Sequence, residues 1–282
     1  MEKIPVRQIK HPEFSGSFNI REIGPLVSGQ DMIQKTHRHT FFFVLALEKG
    51  EGEHVIDFTT YPVSDHSVFI MRPGQVHQLT LKQGSIGYLM EFDNDFYSPH
   101  EKPASQVLRK ASGKNHCPLN ADKFRKIHAL LSFIFEEYTD KKEKYKEVIR
   151  ANLEILFIAL VRQSQSPGDH SKNAGNAQER LEELLQLLDT HISTKKQVAE
   201  YAKLLHLTPY RLNAITKELL GKNCSELIND QIILEAKRYL LATSNQVNQI
   251  AGQLGYDDVS YFIRFFKKHT GYSPELFRQH FR

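Results

Sequence analysis

The stretch that most constrains this chain lies near its C-terminus, from Ile250 to Arg278. Ile250 and Ala251 sit in a helical run, Gly255 breaks it, and Asp257 or Asp258 stands where a side-chain oxygen can cap the next helix. In that second helix Phe262, Phe265, Phe266 and His269 recur at three- and four-residue spacing, which predicts an inward apolar face. Val259 opens the helix, and Ser260, Tyr261, Arg264, Lys267 and Lys268 fall on the other face. Two helices joined by a tight turn, the second presenting donors and positive charge, match the helix-turn-helix design that enters the DNA major groove. Taken alone, the stretch also fits an amphipathic helix with ordinary surface cations.

A second copy of the pattern lies upstream. Val198, Ala202 and Leu205 align with Val247, Ala251 and Leu254. Leu212, Ile215, Lys217 and Gly221 align with Phe262, Phe265, Lys267 and Gly271. Thr208 can cap the second helix of this unit, and Pro209 suits its first position. Leu212, Ile215 and Leu219 then point inward, leaving Tyr210, Arg211, Asn213, Ala214 and Lys217 outward. A long helix over Ser225 to Thr243 joins the two units, with Ile232, Ile233, Ala236 and Leu240 inward and Arg238 outward. Another helix, Glu179 to His191, precedes both.

Gly255-Tyr256, Ser260-Tyr261-Phe262 before Arg264, Phe266-Lys267-Lys268, Gly271, Ser273-Pro274 and Arg278 together resemble the signature of AraC/XylS-type bacterial transcription regulators. The resemblance implies sequence-specific binding of double-stranded DNA by two reading heads, with RNA polymerase as a further partner. Heads on one rigid helix would dock in successive major-groove turns, about 34 Å apart. Arg264 is placed to pair with guanine edges. Ser260 and Tyr261 sit near the helix start, and Lys267 and Lys268 suit phosphates. The first head is weaker, because Ala214 aligns with Arg264 and Glu218 replaces the second lysine. It is expected to read an A/T-rich half-site loosely or to depend on Arg211.

Composition sets the outer bounds. A chain of 282 residues can bury two cores, and 40% hydrophobic with 25% charged content is ordinary for a globular protein. No apolar run approaches the ~20 residues of a membrane span, and Met1 to Lys10 lacks the apolar stretch of a signal peptide. Cys117 and Cys224 give neither metal-ligand spacing nor a disulfide framework. A cytoplasmic protein without a membrane partner is expected. The net charge of +4 permits nucleic-acid binding without demanding it. From Glu179 onward 14 Lys/Arg face 12 Asp/Glu, so DNA affinity must come from where the cations sit.

The N-terminal part reads as short strands separated by Gly and Pro turns: Phe41 to Leu47, Glu53 to Phe58, Ser67 to Met71, Val76 to Leu81 and Ile86 to Phe92. His37-Arg38-His39 and Pro73-Gly74-Gln75-Val76-His77 resemble the two motifs of a cupin barrel, the sensor fold of many AraC-type regulators. In metal-binding cupins the corresponding histidines are joined by a glutamate, but Phe43 and Val44 occupy that place here. His37, His39 and His77 are therefore expected to line a pocket for a small-molecule effector, or to be satisfied within the barrel, with no metal and no cofactor. A cupin enzyme is the rival reading. It would need a metal and a catalytic carboxylate beside these histidines, so no enzymatic activity is expected.

Leu119 to Tyr138 and Tyr145 to Gln163 read as two helices around a charged break. The resemblance implies that they cover the barrel and present a homodimer interface; the residues alone fit equally well a hairpin that completes the first core. Ser164 to Asn176 is polar and without apolar period, the clearest linker in the chain. The expected fold class is α+β. It has a cupin-like effector-sensing β-barrel over 1–117, a helical pair over 118–163, a flexible linker over 164–177 and an all-α DNA-binding domain over 178–282.

Overall fold

The computed structural model describes residues 5–7, 9, 18–93, 96–97, 102–164 and 172–281. They form two compact units, Ile4–Pro167 and Gly168–Arg282.

The first unit is built on strands β1 (Val6–Arg7), β2 (Phe18–Glu22), β3 (Met32–His39), β4 (Phe42–Lys49), β5 (Gly52–Ile56), β6 (Thr59–Val63), β7 (Ser67–Met71), β8 (Val76–Leu81), β9 (Ile86–Phe92) and β10 (His116–Pro118). They form two five-stranded sheets, ordered β1-β3-β8-β5-β6 and β10-β7-β4-β9-β2. The apolar run through β4 is buried on both faces, as a continuous rather than alternating pattern predicts. Phe43, Leu45 and Leu47 point between the sheets, joining Phe41, Ile56, Phe69, Met71, Leu79 and Leu81 in the inner core. Phe42, Val44 and Ala46 point the other way, into an outer core shared with the helices.

That outer core is covered by α1 (Lys102–Ser112), α2 (Ala121–Asp140) and α3 (Tyr145–Ser164). Asn120 caps α2 by accepting the Lys123 N–H, and Lys141 ends it in the left-handed conformation. Phe124, Ile127, Leu131 and Ile134 of α2 are buried with Ile149, Leu153, Leu156 and Phe157 of α3. The expected pair is thus a set of three. Helix α1 lies inside the segment assigned to the barrel, and its Leu108 and Ala111 join the outer core.

The second unit holds α4 (Lys172–His191), α5 (Val198–Leu204), α6 (Pro209–Leu220), α7 (Cys224–Ala242), α8 (Val247–Gln253), α9 (Val259–Thr270) and α10 (Pro274–Phe281). Helix α4 starts within the stretch read as linker to residue 177. The Leu181, Leu184 and Leu188 stripe anchors the helix, and once formed a helix extends at one hydrogen bond per residue, carrying polar residues with it. The rest of that linker, residues 165–171, lies outside the described residues.

The internal repeat holds down to individual backbone bonds. Both α5 and α8 open on a capping box, Gln197 with Glu200 and Gln246 with Gln249. The Leu207 N–H donates to the Ala202 carbonyl and the Tyr256 N–H to the Ala251 carbonyl, both at 2.9 Å. Gly221 and Gly271 close α6 and α9 in the same left-handed conformation. The second turn is one residue longer. Only Leu207 separates left-handed His206 from the cap Thr208, whereas Tyr256 and Asp257 separate Gly255 from the cap Asp258.

Helix α7 packs against α4, α5, α6, α8, α9 and α10. It therefore has little outward face, and Arg238, expected outside, is 7% exposed beside Glu235. Arg278 is buried too. Its guanidinium donates to the carbonyls of Leu240 and Asn245, tying α10 to the end of α7.

Candidate nucleic-acid interface and barrel histidines

On α9 the geometry begins at its cap. Asp258 Oδ1 accepts the N–H groups of Ser260 and Tyr261 at 2.8 and 3.1 Å, which fixes the first turn. The other carboxylate oxygen stands 3.9 Å from the Arg264 guanidinium, which is left 69% exposed. Phe262 and Phe266 are fully buried and hold the helix by its opposite side. Ser260, Tyr261, Arg264, Lys267 and Lys268 are all exposed, and Val259 is half-buried. His269 differs from its expected place. It is exposed and leans on Phe265, ring centroids 4.6 Å apart.

Helix α6 repeats the arrangement. Thr208 Oγ1 accepts the Arg211 N–H, and Leu212 and Ile215 are buried. Tyr210 is 85% exposed, so it does not pack on its own helix. Arg211, Ala214 and Lys217 are exposed with it. Asn213 is not free to point outward: it is half-buried, and its Oδ1 accepts the Cys224 N–H at 2.9 Å, supporting the start of α7.

In the barrel, period-two alternation along β3 puts His37 and His39 on one face. The register places His37 opposite His77 of β8. His77 Nε2 lies 3.0 Å from His37 Nε2 and 3.3 Å from His39 Nε2. All three rings are buried, with ligand atoms within 4.8 Å of one another. The His37 Nδ1–H donates to the Lys35 carbonyl at 2.7 Å. A fourth ring escaped the sequence reading. His54 of β5 is fully buried, with Nε2 2.8 Å from His77 Nδ1. Its signal was parity: His54 shares the inward register of Ile56, whereas Val55 does not.

Burial pushes all four imidazoles down, His37 to about 4, and His39 and His54 to about 3. His77 also lies well below the ordinary value, again through burial first and then the neighbouring imidazoles, which oppose a further proton. Arg7 adds a smaller unfavourable field at His37, His39 and His77. At neutral pH the cluster is thus a set of uncharged nitrogen donors. His39 Nδ1 and His54 Nδ1 have no hydrogen-bond partner.

Comparison with known proteins gives both units a match. Residues 201–280 match the helix-turn-helix domain model, and residues 28–108 match the AraC-like ligand-binding domain. The two units thus carry the pair of domains found in AraC-type regulators. A helix-turn-helix regulator of Bacillus subtilis named YfiF is 22% identical over 86% of this chain and 78% of its own. The transcriptional activator RhaR of Mannheimia succiniciproducens is 23% identical over 87% of each. Among solved structures, ToxT of Vibrio cholerae aligns over 94% of this chain and 97% of its own, at 14% identity and a TM-score of 0.43. With these two domains the chain is a DNA-binding transcription regulator with an N-terminal ligand-binding domain. Among the described residues no helix is long and apolar enough to cross a membrane.

Proposed function

We propose that this regulator reads DNA chiefly through α9. The observation that carries the reading is the exposed Arg264 beside the capped first turn of α9, with Lys267 and Lys268 one turn behind. Arg264 takes base edges, Ser260, Tyr261 and Val259 adjoin them, and the two lysines take phosphates. On α6, Tyr210, Arg211, Ala214 and Lys217 form the second contact surface, which lacks an equivalent of Arg264. Asn213 supports that helix from behind.

The barrel is the sensing module, with His37, His39 and His77 as its polar site. A ligand there acts by binding one arrangement of the protein better than another. We read the protein as a non-enzymatic, cytoplasmic homodimer that also meets RNA polymerase. On α2 and α3, Phe133 and Ile155, 43% and 52% exposed, are apolar side chains available to a dimer contact.

Fluorescence anisotropy on the duplex upstream of its own gene, against a scrambled duplex at two salt concentrations, tests the DNA assignment. Preference for the native duplex that survives the higher salt and is lost in Arg264→Ala is the expected result. Equal, steeply salt-dependent binding to both duplexes would sink it.

A further inference from the structure

The loop between α4 and α5 carries a lysine, Lys196, that reaches the turn of the second helix-turn-helix unit. Its ammonium donates to the Ser193 carbonyl at 3.3 Å and to the Gly255 carbonyl at 2.9 Å. It also stands 4.9 Å over the Tyr256 ring, within reach of a cation–π contact. We propose that Lys196 is the positioning residue that locks the second reading head against the first and so sets the half-site spacing this protein accepts.

The near side of this tie is rigid. Glu200 of α5 accepts the N–H groups of Lys196 and Gln197 at 3.0 and 2.9 Å. Tyr201, fully buried, donates its hydroxyl hydrogen to the Lys195 carbonyl at 2.8 Å. The N–H groups of Thr194 and Lys195 both return to the His191 carbonyl. The main chain between α4 and α5 is thus fixed before the ammonium reaches across.

The far side is shaped for the approach. Gly255 is left-handed, and a Cβ there would meet the Ser193 carbonyl oxygen at 1.9 Å and the Lys196 ammonium at 2.7 Å. A bare backbone lets the two segments come this close. The next residue passes the contact on to the recognition helix. Tyr256 packs on Tyr261, Phe262 and Phe265 of α9, with ring centroids 6.0, 5.3 and 5.8 Å apart. It also joins Phe265 at the edge of the core that α4, α5, α6 and α7 form. In the first unit the matching positions hold His206 and Leu207.

The charge belongs to the tie. Burial lowers the Lys196 pKa, while Glu200 and Asp257 oppose that shift. A charged donor makes a hydrogen bond roughly twice as strong as a neutral one. Beyond the far end of α9, Arg278 of α10 donates to the Leu240 and Asn245 carbonyls. Two cations thus brace the recognition helix, one from each end.

This inference rests on the reading of α6 and α9 as two DNA-contacting heads. Once one head is docked, the other meets its half-site at an effective concentration set by the stiffness of what joins them. A stiff junction gains affinity at one spacing and loses it at others. An inserted base pair moves the second half-site by about 3.4 Å and turns it by about 35°.

The test starts with sites selected from a random-sequence duplex pool by the full-length wild type. Affinities are then measured for the selected site, for each half-site alone, and for the site with one base pair inserted between its halves. The wild type should lose at least about 10-fold on the insertion. Lys196→Met keeps the apolar stem and removes the charge and the donors. It should bind the selected site about 10-fold more weakly, lose less than about 3-fold on the insertion, and bind each half-site as the wild type does. Lys196→Arg should restore the insertion penalty, and Lys196→Gln should fall between the two, serving in place of Lys196→Met if that variant fails to fold. Asn213→Ala loosens the start of α7 instead of this junction and should keep the wild-type penalty, which separates positioning from a general loss of stability. A wild-type penalty in folded Lys196→Met, or equal losses on whole site and half-sites, overturns the role. A wild type indifferent to the insertion does the same. A selected motif with a single half-site instead overturns the two-headed reading itself and takes this inference with it.

Discussion

His206 and Gly255 occupy the same left-handed backbone position, at φ 54° and 72°, in the turns of the two helix-turn-helix units. The positions match, but their surroundings differ. A Cβ at Gly255 would stand 1.9 Å from the Ser193 carbonyl oxygen, whereas His206 carries a whole side chain. Gly255→Ala should therefore destabilise the C-terminal unit by well over the ~1 kcal/mol that left-handed backbone alone costs an L-residue. His206→Gly should be neutral or stabilising by up to about 1 kcal/mol. Thermal melts of the two variants check both signs.

Arg264→Ala and Lys267→Ala should fail differently on DNA. The first should cost about 1–3 kcal/mol at one base pair and relax the preference there. The second should weaken every sequence alike and make the salt dependence shallower by about one unit. Competition binding with a panel of single-base-pair variants separates the two. Equal losses on every duplex would leave no division of labour between these residues.

Asn213→Ala should act on stability, by about 1 kcal/mol, because it strands the Cys224 N–H at the start of α7. The order of preference among DNA sequences should stay as in the wild type. A changed preference at unchanged melting temperature would return Asn213 to the reading surface.

Acid should loosen the barrel well before its carboxylates titrate. Unfolded histidine titrates near 6.5, whereas His37 in the fold is pushed to about 4 and His39 and His54 to about 3. As pH falls through 6.5 the unfolded chain takes up protons that the native state refuses, so stability drops. The drop should be about 1.4 kcal/mol per pH unit for each histidine, ending near the folded values. Urea unfolding of the protein between pH 7 and 4 reads this slope directly. A flat profile would mean that the rings are hydrated.

The helix-turn-helix units were legible because their determinants are local. Thr208 and Asp258 cap where their side chains dictate, and Gly221 and Gly271 end the helices they follow. Helical spacing alone could not show that Asn213 reaches eleven residues along the chain to Cys224. Nor could it show that Arg238 sits on a helix packed by six others and so faces protein rather than water. In the barrel the HxH spacing put His37 and His39 together, and the Pro73-Gly74 turn set His77 opposite them. His54 was hidden by the short, irregular alternation of β5, which only pairing with β8 resolves.

From Phe41 to Leu47 every side chain is buried, and along β4 neighbours alternate between two cores. Most strands have a side on which evolution can experiment at little cost. Here a change at an odd-numbered position disturbs the barrel interior, and one at an even-numbered position disturbs the helices outside. Sequence drift in this protein should therefore flow around these residues, leaving the run nearly frozen while the strands on either side vary.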